Sequence, residues 1–146
     1  VQIRDAAEAD IPYLVELGRR MHFESRYARF DFDPQKYAAV LAHVIPQGLT
    51  FLVEQDGEVI GVFVGVLDSM FFGRDIVARD LLTYVTPERR GRAGVGLIRE
   101  YVRRAKAAGA VDIHIGVSTG LQPARVGSLY ERLGFGHIGG GYAMEV

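Results

Sequence analysis

The twelve residues Val85-Thr86-Pro87-Glu88-Arg89-Arg90-Gly91-Arg92-Ala93-Gly94-Val95-Gly96 run from a strand-like segment into a long helical pattern. A glycine-bearing loop feeding a helix N-terminus aims several unpaired backbone N–H groups at one point, where the helix dipole is positive. That arrangement suits a phosphate or diphosphate, and Arg89, Arg90 and Arg92 add charge beside it. A turn followed by solvated arginines would use the same residue types, so the loop by itself leaves both readings open. A nucleoside-triphosphate P-loop is excluded, because it needs Gly-Lys followed by Ser or Thr and this stretch holds no lysine. The dinucleotide fingerprint fails too, since Arg99 stands where its third glycine belongs after Gly96.

Other titratable residues say less when taken alone. Asp80 and Glu24 read as surface carboxylates. Tyr130, at helical spacing from Val126 and Leu133, reads as a packed aromatic. Asp112 and His114 share one face of a strand, but two ligands without a third make a hydrogen-bonded pair rather than a metal centre, and no metal is expected. Arg99, Arg103, Arg104 and Lys106 form one outward helix face, read as solvated. Phe23, Tyr27, Phe30 and Phe32, with Arg26 and Arg29, form a cluster that fits either loop packing or a pocket wall.

These residues need elements to position them. Val1 to Arg4 alternates as a first strand, and a helix capped at Asp10 follows, with Ile11, Leu14, Val15 and Gly18 at helical spacing. A second helix starts at Asp33-Pro34, cap then first turn, and stops before Pro46. Leu49 to Glu54 and Glu58 to Leu67 are strand-like, and Gln55-Asp56-Gly57-Glu58 between them is a hairpin signal. Ala78 to Val85 is a further strand. Ala93 to Ala108 is a helix stopped by Gly109, Val111 to Val117 a strand, and Pro123 to Leu133 a helix stopped by Gly134. Phe135 to Ile138 and Tyr142 to Glu145 read as closing strands around Gly139-Gly140-Gly141. The sum is an α/β (α+β) chain: one domain over residues 1–146, with a mixed sheet of six to seven strands and helices on both faces.

Composition narrows the function classes. The 146 residues carry no cysteine, which excludes disulfides, thiolate metal sites and a cysteine nucleophile. Seventeen basic against eighteen acidic side chains give a net charge of −1, so no global attraction to nucleic acid or anionic lipid is expected. The longest apolar run, Val59 to Leu67, is too short to span a bilayer. With no charged-then-apolar leader, the sequence predicts a cytoplasmic protein. Of 18 glycines only Gly18 lies in the first 47 residues and twelve lie at or beyond Gly91, which concentrates backbone freedom in the half that holds the loop.

Two of these segments together resemble the GNAT N-acetyltransferase superfamily. The stretch Val85-Thr86-Pro87-Glu88-x-Arg90-Gly91 is similar to that family's strand-to-loop segment, which continues as (Gln/Arg)-x-x-Gly-x-(Gly/Ala). Leu129-Tyr130-Glu131-Arg132-Leu133-Gly134-Phe135 is similar to its Leu-Tyr-x-x-x-Gly-Phe segment. With Arg90 leading, the two glycine positions of the pattern fall on Ala93 and Val95, while Gly94 and Gly96 lie one place on. The resemblance implies a twisted sheet that opens between its middle strands and direct transfer of the acetyl group of acetyl-CoA to an amine acceptor. It implies that Thr83, Tyr84 and Val85 offer backbone groups to the pantetheine arm and the acetyl carbonyl. It implies that Arg90, Gly91, Arg92, Ala93, Gly94, Val95 and Gly96 hold the diphosphate. Tyr130 would then protonate the departing thiolate, and Asp80 or Glu24 would serve as base. A homodimer is compatible with the family. The rival reading is a non-catalytic CoA-binding module of the same fold.

Overall fold

The strands are β1 (Gln2–Asp5), β2 (Thr50–Gln55), β3 (Glu58–Ser69), β4 (Ile76–Val85) and β5 (Asp112–His114), and the three in the middle are the apolar-rich ones. The helices are α1 (Ile11–Glu24), α2 (Pro34–Val44), α3 (Arg92–Ala107) and α4 (Pro123–Arg132). The computed structural model describes residues 1–117 and 122–146. The strands lie side by side in chain order. β1 to β4 are antiparallel neighbours, and β5 joins β4 in parallel after the α3 crossover.

Two apolar layers sandwich the sheet. Phe51, Phe63, Ala78 and Val85 pack with Ala93, Leu97, Tyr101 and Ala105 of α3 on one face. Leu52, Val62, Val64, Leu82 and Tyr84 pack with Leu14 and Leu17 of α1 and Leu41 and Val44 of α2 on the other. β3 is therefore covered on both sides from Ile60 to Val64, which explains its nearly unbroken apolar run. The Phe63 ring stands 5.2 Å from Phe51 and 4.3 Å from Tyr101, so an aromatic stack anchors α3 to the sheet centre. α1 and α2 approach closely at Gly18, where an added Cβ would lie 2.3 Å from the Tyr37 ring.

Local signals act largely as their chemistry dictates. Asp33 Oδ1 accepts the Gln35 and Lys36 N–H groups at 3.0 and 3.1 Å and caps α2. Asp56 and Gly57 both take positive φ, 53° and 80°, as a two-residue hairpin turn requires. Asp10 departs from its expected role. It precedes α1, but its carboxylate makes no cap bond to that helix; it pairs with Arg4 at 2.8 Å and accepts the Ala7 N–H instead. Arg104, expected to be solvated, lies 4.7 Å over the Phe51 ring and bonds Glu100, Asp5 and the Gly48 carbonyl.

The expectation of six to seven strands is corrected to five among the described residues. β5 pairs for three residues instead of the expected seven, and Phe135 to Ile138 and Tyr142 to Glu145 are not strands. The physical reason lies in Gly136 and Gly139 to Gly141. They supply no side chains for cross-strand contacts and lose the most backbone entropy on ordering. Ile138, Tyr142 and Met144 accordingly stand exposed. Among the described residues no helix is long and apolar enough to cross a membrane.

α3 also holds β5. The buried Tyr101 donates its hydroxyl to the His114 carbonyl at 2.8 Å, where β5 ends. Tyr101→Phe is expected to cost about 1–2 kcal/mol, the value of a bond whose loss leaves a partly buried carbonyl unpaired. Urea unfolding checks this, and an unchanged midpoint would show that the bond contributes nothing net.

Candidate active site

Among the described residues β4 and β5 pair only at Val77–Asp112, Ala78–Ile113 and Arg79–His114. β4 then runs on to Val85 with β3 on one side only. Where its backbone groups point follows from the ladder. Thr86 N–H donates to the Ile60 carbonyl at 2.9 Å, and on the other side of β3 Gly65 N–H donates to Leu49 at 3.0 Å. Alternation along an antiparallel pair then makes Tyr84–Val62 and Leu82–Val64 the bonded pairs, and turns the N–H and C=O of Thr83 and Val85 away from β3. They face the opening between β4 and β5.

A bulge fixes which side chains share that opening. Leu82 pairs with Val64 and Asp80 with Gly65, so Leu81 is an extra residue and stands half-exposed. The extra residue shifts the alternation. Ala78 packs on the α3 face, whereas Leu82 and Tyr84 pack on the α1 and α2 face, and Val85 returns to the α3 face. Thr83 Oγ1 is buried with no hydrogen-bond partner among the described residues, an orphan that a group lying along β4 would satisfy.

Asp80 and Tyr130 meet at one backbone residue. Asp80 Oδ1 accepts the Gly116 N–H at 3.0 Å, and the Tyr130 hydroxyl donates to the Gly116 carbonyl at 3.1 Å. Gly116 lies two residues beyond the end of β5, at the crotch of the fork. Burial pushes the Asp80 carboxyl up to about 6, against the lowering effect of the Gly116 hydrogen bond and of nearby His114. Burial, then the Asp80 charge, raises the Tyr130 hydroxyl to about 12. A carboxylate able to take a proton near neutral pH thus sits with a phenol that keeps its own. Burial and the Asp80 charge also push up the Tyr101 hydroxyl.

Past Val85 the chain makes a short 3-10 turn, Pro87–Arg89, and enters α3 through Gly91 at φ 112°. Only glycine adopts that conformation without strain. The first bond inside α3 runs from Val95 N–H to the Gly91 carbonyl, so the N–H groups of Arg92, Ala93 and Gly94 lack helical partners. A Cβ added at Gly91 or Gly94 would meet nothing within 4 Å, which leaves open space before the helix end. Ala93 is buried beneath it against the core. Arg90 reaches back: its Nε donates to the Val85 carbonyl at 3.1 Å, and its Nη2 lies 2.5 Å from Glu24 Oε1.

Thr83, Val85, Asp80, Tyr130 and the Arg90 loop therefore lie around one fork. The Tyr84 backbone turns to β3, and its side chain packs among α1 and α2 residues. Glu24 is drawn to the fork mouth by Arg90. Gly116 was not among the residues expected from the sequence. Its part is played by backbone atoms, which no side-chain pattern reveals, although the paired Leu81-Leu82 after Asp80 breaks strict alternation and marks the bulge that aims the carboxylate. Asp112 and His114 form the expected pair, with His114 Nε2 at 2.8 Å from Asp112 Oδ2. No group of three metal-ligating side chains occurs among the described residues. In the aromatic cluster, Arg26 and Arg29 lie over Tyr27 and Phe30 at 5.2 and 4.4 Å, while Phe23 is exposed.

The family model described as the Acetyltransferase (GNAT) family matches residues 12–135. A search of curated protein sequences gives no significant match. Among solved structures, the chain is similar to a predicted acetyltransferase with acetyl-CoA from Clostridium acetobutylicum, at 16% identity and TM-score 0.79, covering 99% of this chain and 95% of that one. It is similar to an aminoglycoside antibiotic 6'-N-acetyltransferase from Acinetobacter haemolyticus, at 16% identity and TM-score 0.71, over 100% and 98% of the two chains. It is also similar to a ribosomal-protein-alanine N-acetyltransferase from Brucella melitensis biovar Abortus, at 15% identity and TM-score 0.73, over the full length of both.

The Asp80 environment makes stability depend on pH. Its carboxyl titrates near the ordinary 3.8 when unfolded and near 6 when folded, so the fold favours the neutral form. Stability from this group is fully present below about pH 4 and is lost as pH rises through 6. Asp80→Asn removes the penalty: in urea unfolding the variant should gain about 2–3 kcal/mol on the wild type between pH 4 and pH 7.5. A difference that is the same at both pH values would place Asp80 outside the folding equilibrium.

Proposed function

We propose that this chain, which belongs to the GNAT acetyltransferase family, is an enzyme that moves an acetyl group from acetyl-CoA to an amine in the cytoplasm. The observation that carries the reading is the convergence of Asp80 and Tyr130 on Gly116 where β4 leaves β5. Acetyl-CoA would supply an activated acyl carbonyl and a thiolate leaving group. The remaining work falls to the protein.

The Thr83 and Val85 backbone groups bond the pantetheine arm along β4, and the buried Thr83 hydroxyl gains a partner there. A backbone N–H directed at the acetyl oxygen polarises the carbonyl, the role of a fixed dipole in a water-poor site. The unpaired N–H groups at the start of α3, with Arg90 and Arg92, hold the diphosphate. Asp80 takes the proton that the attacking amine must lose, which its raised affinity for a proton suits. Tyr130 gives its proton to the departing sulfur; its burial keeps it protonated at neutral pH until the thiolate develops beside it. Glu24 is held by Arg90 and is the less favoured base.

The acceptor in this reading is an amine. The two neighbours named for their acceptors suggest the panel to try first, aminoglycosides and peptides with an N-terminal alanine. Calorimetry should show acetyl-CoA binding to the wild type, and its absence at millimolar concentration would remove the reading. With an acetylated amine in hand, Tyr130→Phe should lower kcat about a hundredfold while acetyl-CoA affinity stays within about twofold, the pattern of a lost general acid. Unchanged turnover at saturating acetyl-CoA would show that Tyr130 is no acid in this reaction. Acetyl-CoA binding with no acetylation across the panel would favour the non-catalytic module.

A further inference from the structure

Among the described residues Arg90 meets Val85, Glu24 and Tyr84, and together they place its guanidinium across the mouth of the fork. Nε bonds the Val85 carbonyl at 3.1 Å, Nη2 lies 2.5 Å from Glu24, and Cζ lies 5.9 Å from the centre of the Tyr84 ring. Glu24 is the last residue of α1, on the opposite face of the sheet from α3, so this ion pair crosses from one layer to the other at the end of β4. The Tyr84 hydroxyl lies near the Glu24 carboxylate, and Arg20 lies near that hydroxyl. Burial, then Glu24 itself, pushes that hydroxyl up to about 12.

These contacts conflict with binding. The Val85 carbonyl is one of the two that β4 turns toward the opening, and the Arg90 guanidinium lies on it. An arm following β4 needs that carbonyl, and a diphosphate at the start of α3 needs the charge that Glu24 neutralises. The arginine cannot satisfy both sets of partners at full strength.

We propose that Glu24 is a positioning residue whose carboxylate holds Arg90 on the Val85 carbonyl, closing the fork until the diphosphate of CoA draws the guanidinium away. The proposal rests on the acetyl-CoA reading of the fork. Both side chains are part-exposed, 46% for Arg90 and 26% for Glu24, so the pair is weak enough for a doubly charged diphosphate to displace. Glu24 therefore sets how tightly CoA is held without touching it.

The test is calorimetric titration of the full chain with CoA alone. Removing the carboxylate in Glu24→Gln should tighten CoA binding about three- to fivefold, the size of one part-exposed ion pair. Glu24→Asp, which keeps the charge but withdraws it, should move the same way by less. In an Arg90→Ala background Glu24→Gln should have no effect, since a double-mutant cycle isolates the pair. A merely structural role for Glu24 would lower thermal stability without tightening CoA. Unchanged or weaker CoA binding by both Glu24 variants, with wild-type binding intact, overturns the latch and leaves the acetyl-CoA reading standing. Absence of CoA binding to every form overturns both.

Discussion

A strand that loses its neighbour half-way along must still account for its backbone hydrogen bonds, and that constraint shapes this protein from β4 outward. After Arg79 no β5 residue pairs with β4. Buried N–H and C=O groups left unpaired are costly, so each must find a side chain, water or ligand. On the β5 side Gly116 finds both partners in side chains, Asp80 for its N–H and Tyr130 for its carbonyl. On the β4 side Val85 finds Arg90. The residues that satisfy the fork are the ones whose chemistry fits acyl transfer.

The rest of the fold serves to hold the fork in shape. The bulge at Leu81 lets one strand present Asp80 to the α3 side and Leu82 to the α1 and α2 side within three residues. The Phe51–Phe63–Tyr101 stack fixes α3 against the sheet, and the Tyr101 hydroxyl then fixes the end of β5. Burial by these layers also raises the proton affinities of Asp80 and Tyr130. Packing and the raised proton affinities here have one cause.

Much of this was legible in the residues. Asp33-Pro34 announced a helix start because cap and first-turn proline act locally, and Asp56-Gly57 announced a hairpin because its φ angles demand those types. The turn into α3 is legible because Gly91 marks a backbone that no other residue adopts easily. What could not be read depends on distant partners. Asp10 gave up its cap for Arg4, and Arg104 left solvent for Phe51, Glu100 and Asp5. Asp80 looked like a surface carboxylate because its burial comes from the bulge and from Gly116, 36 residues away. The expected closing strands around Gly139-Gly140-Gly141 do not form, because glycine-rich chain with exposed side chains does not repay its ordering entropy.

The central claim is that Thr83 and Val85 present their amides to an acyl-CoA arm while Tyr84 between them stays bonded to β3. Residue-resolved amide hydrogen exchange, with and without saturating acetyl-CoA, tests it most directly. The account predicts that the Thr83 and Val85 amides gain protection on binding while the Tyr84 amide, already paired with Val62, does not change. Equal changes at all three, or none at Thr83 and Val85 when acetyl-CoA is demonstrably bound, would contradict it.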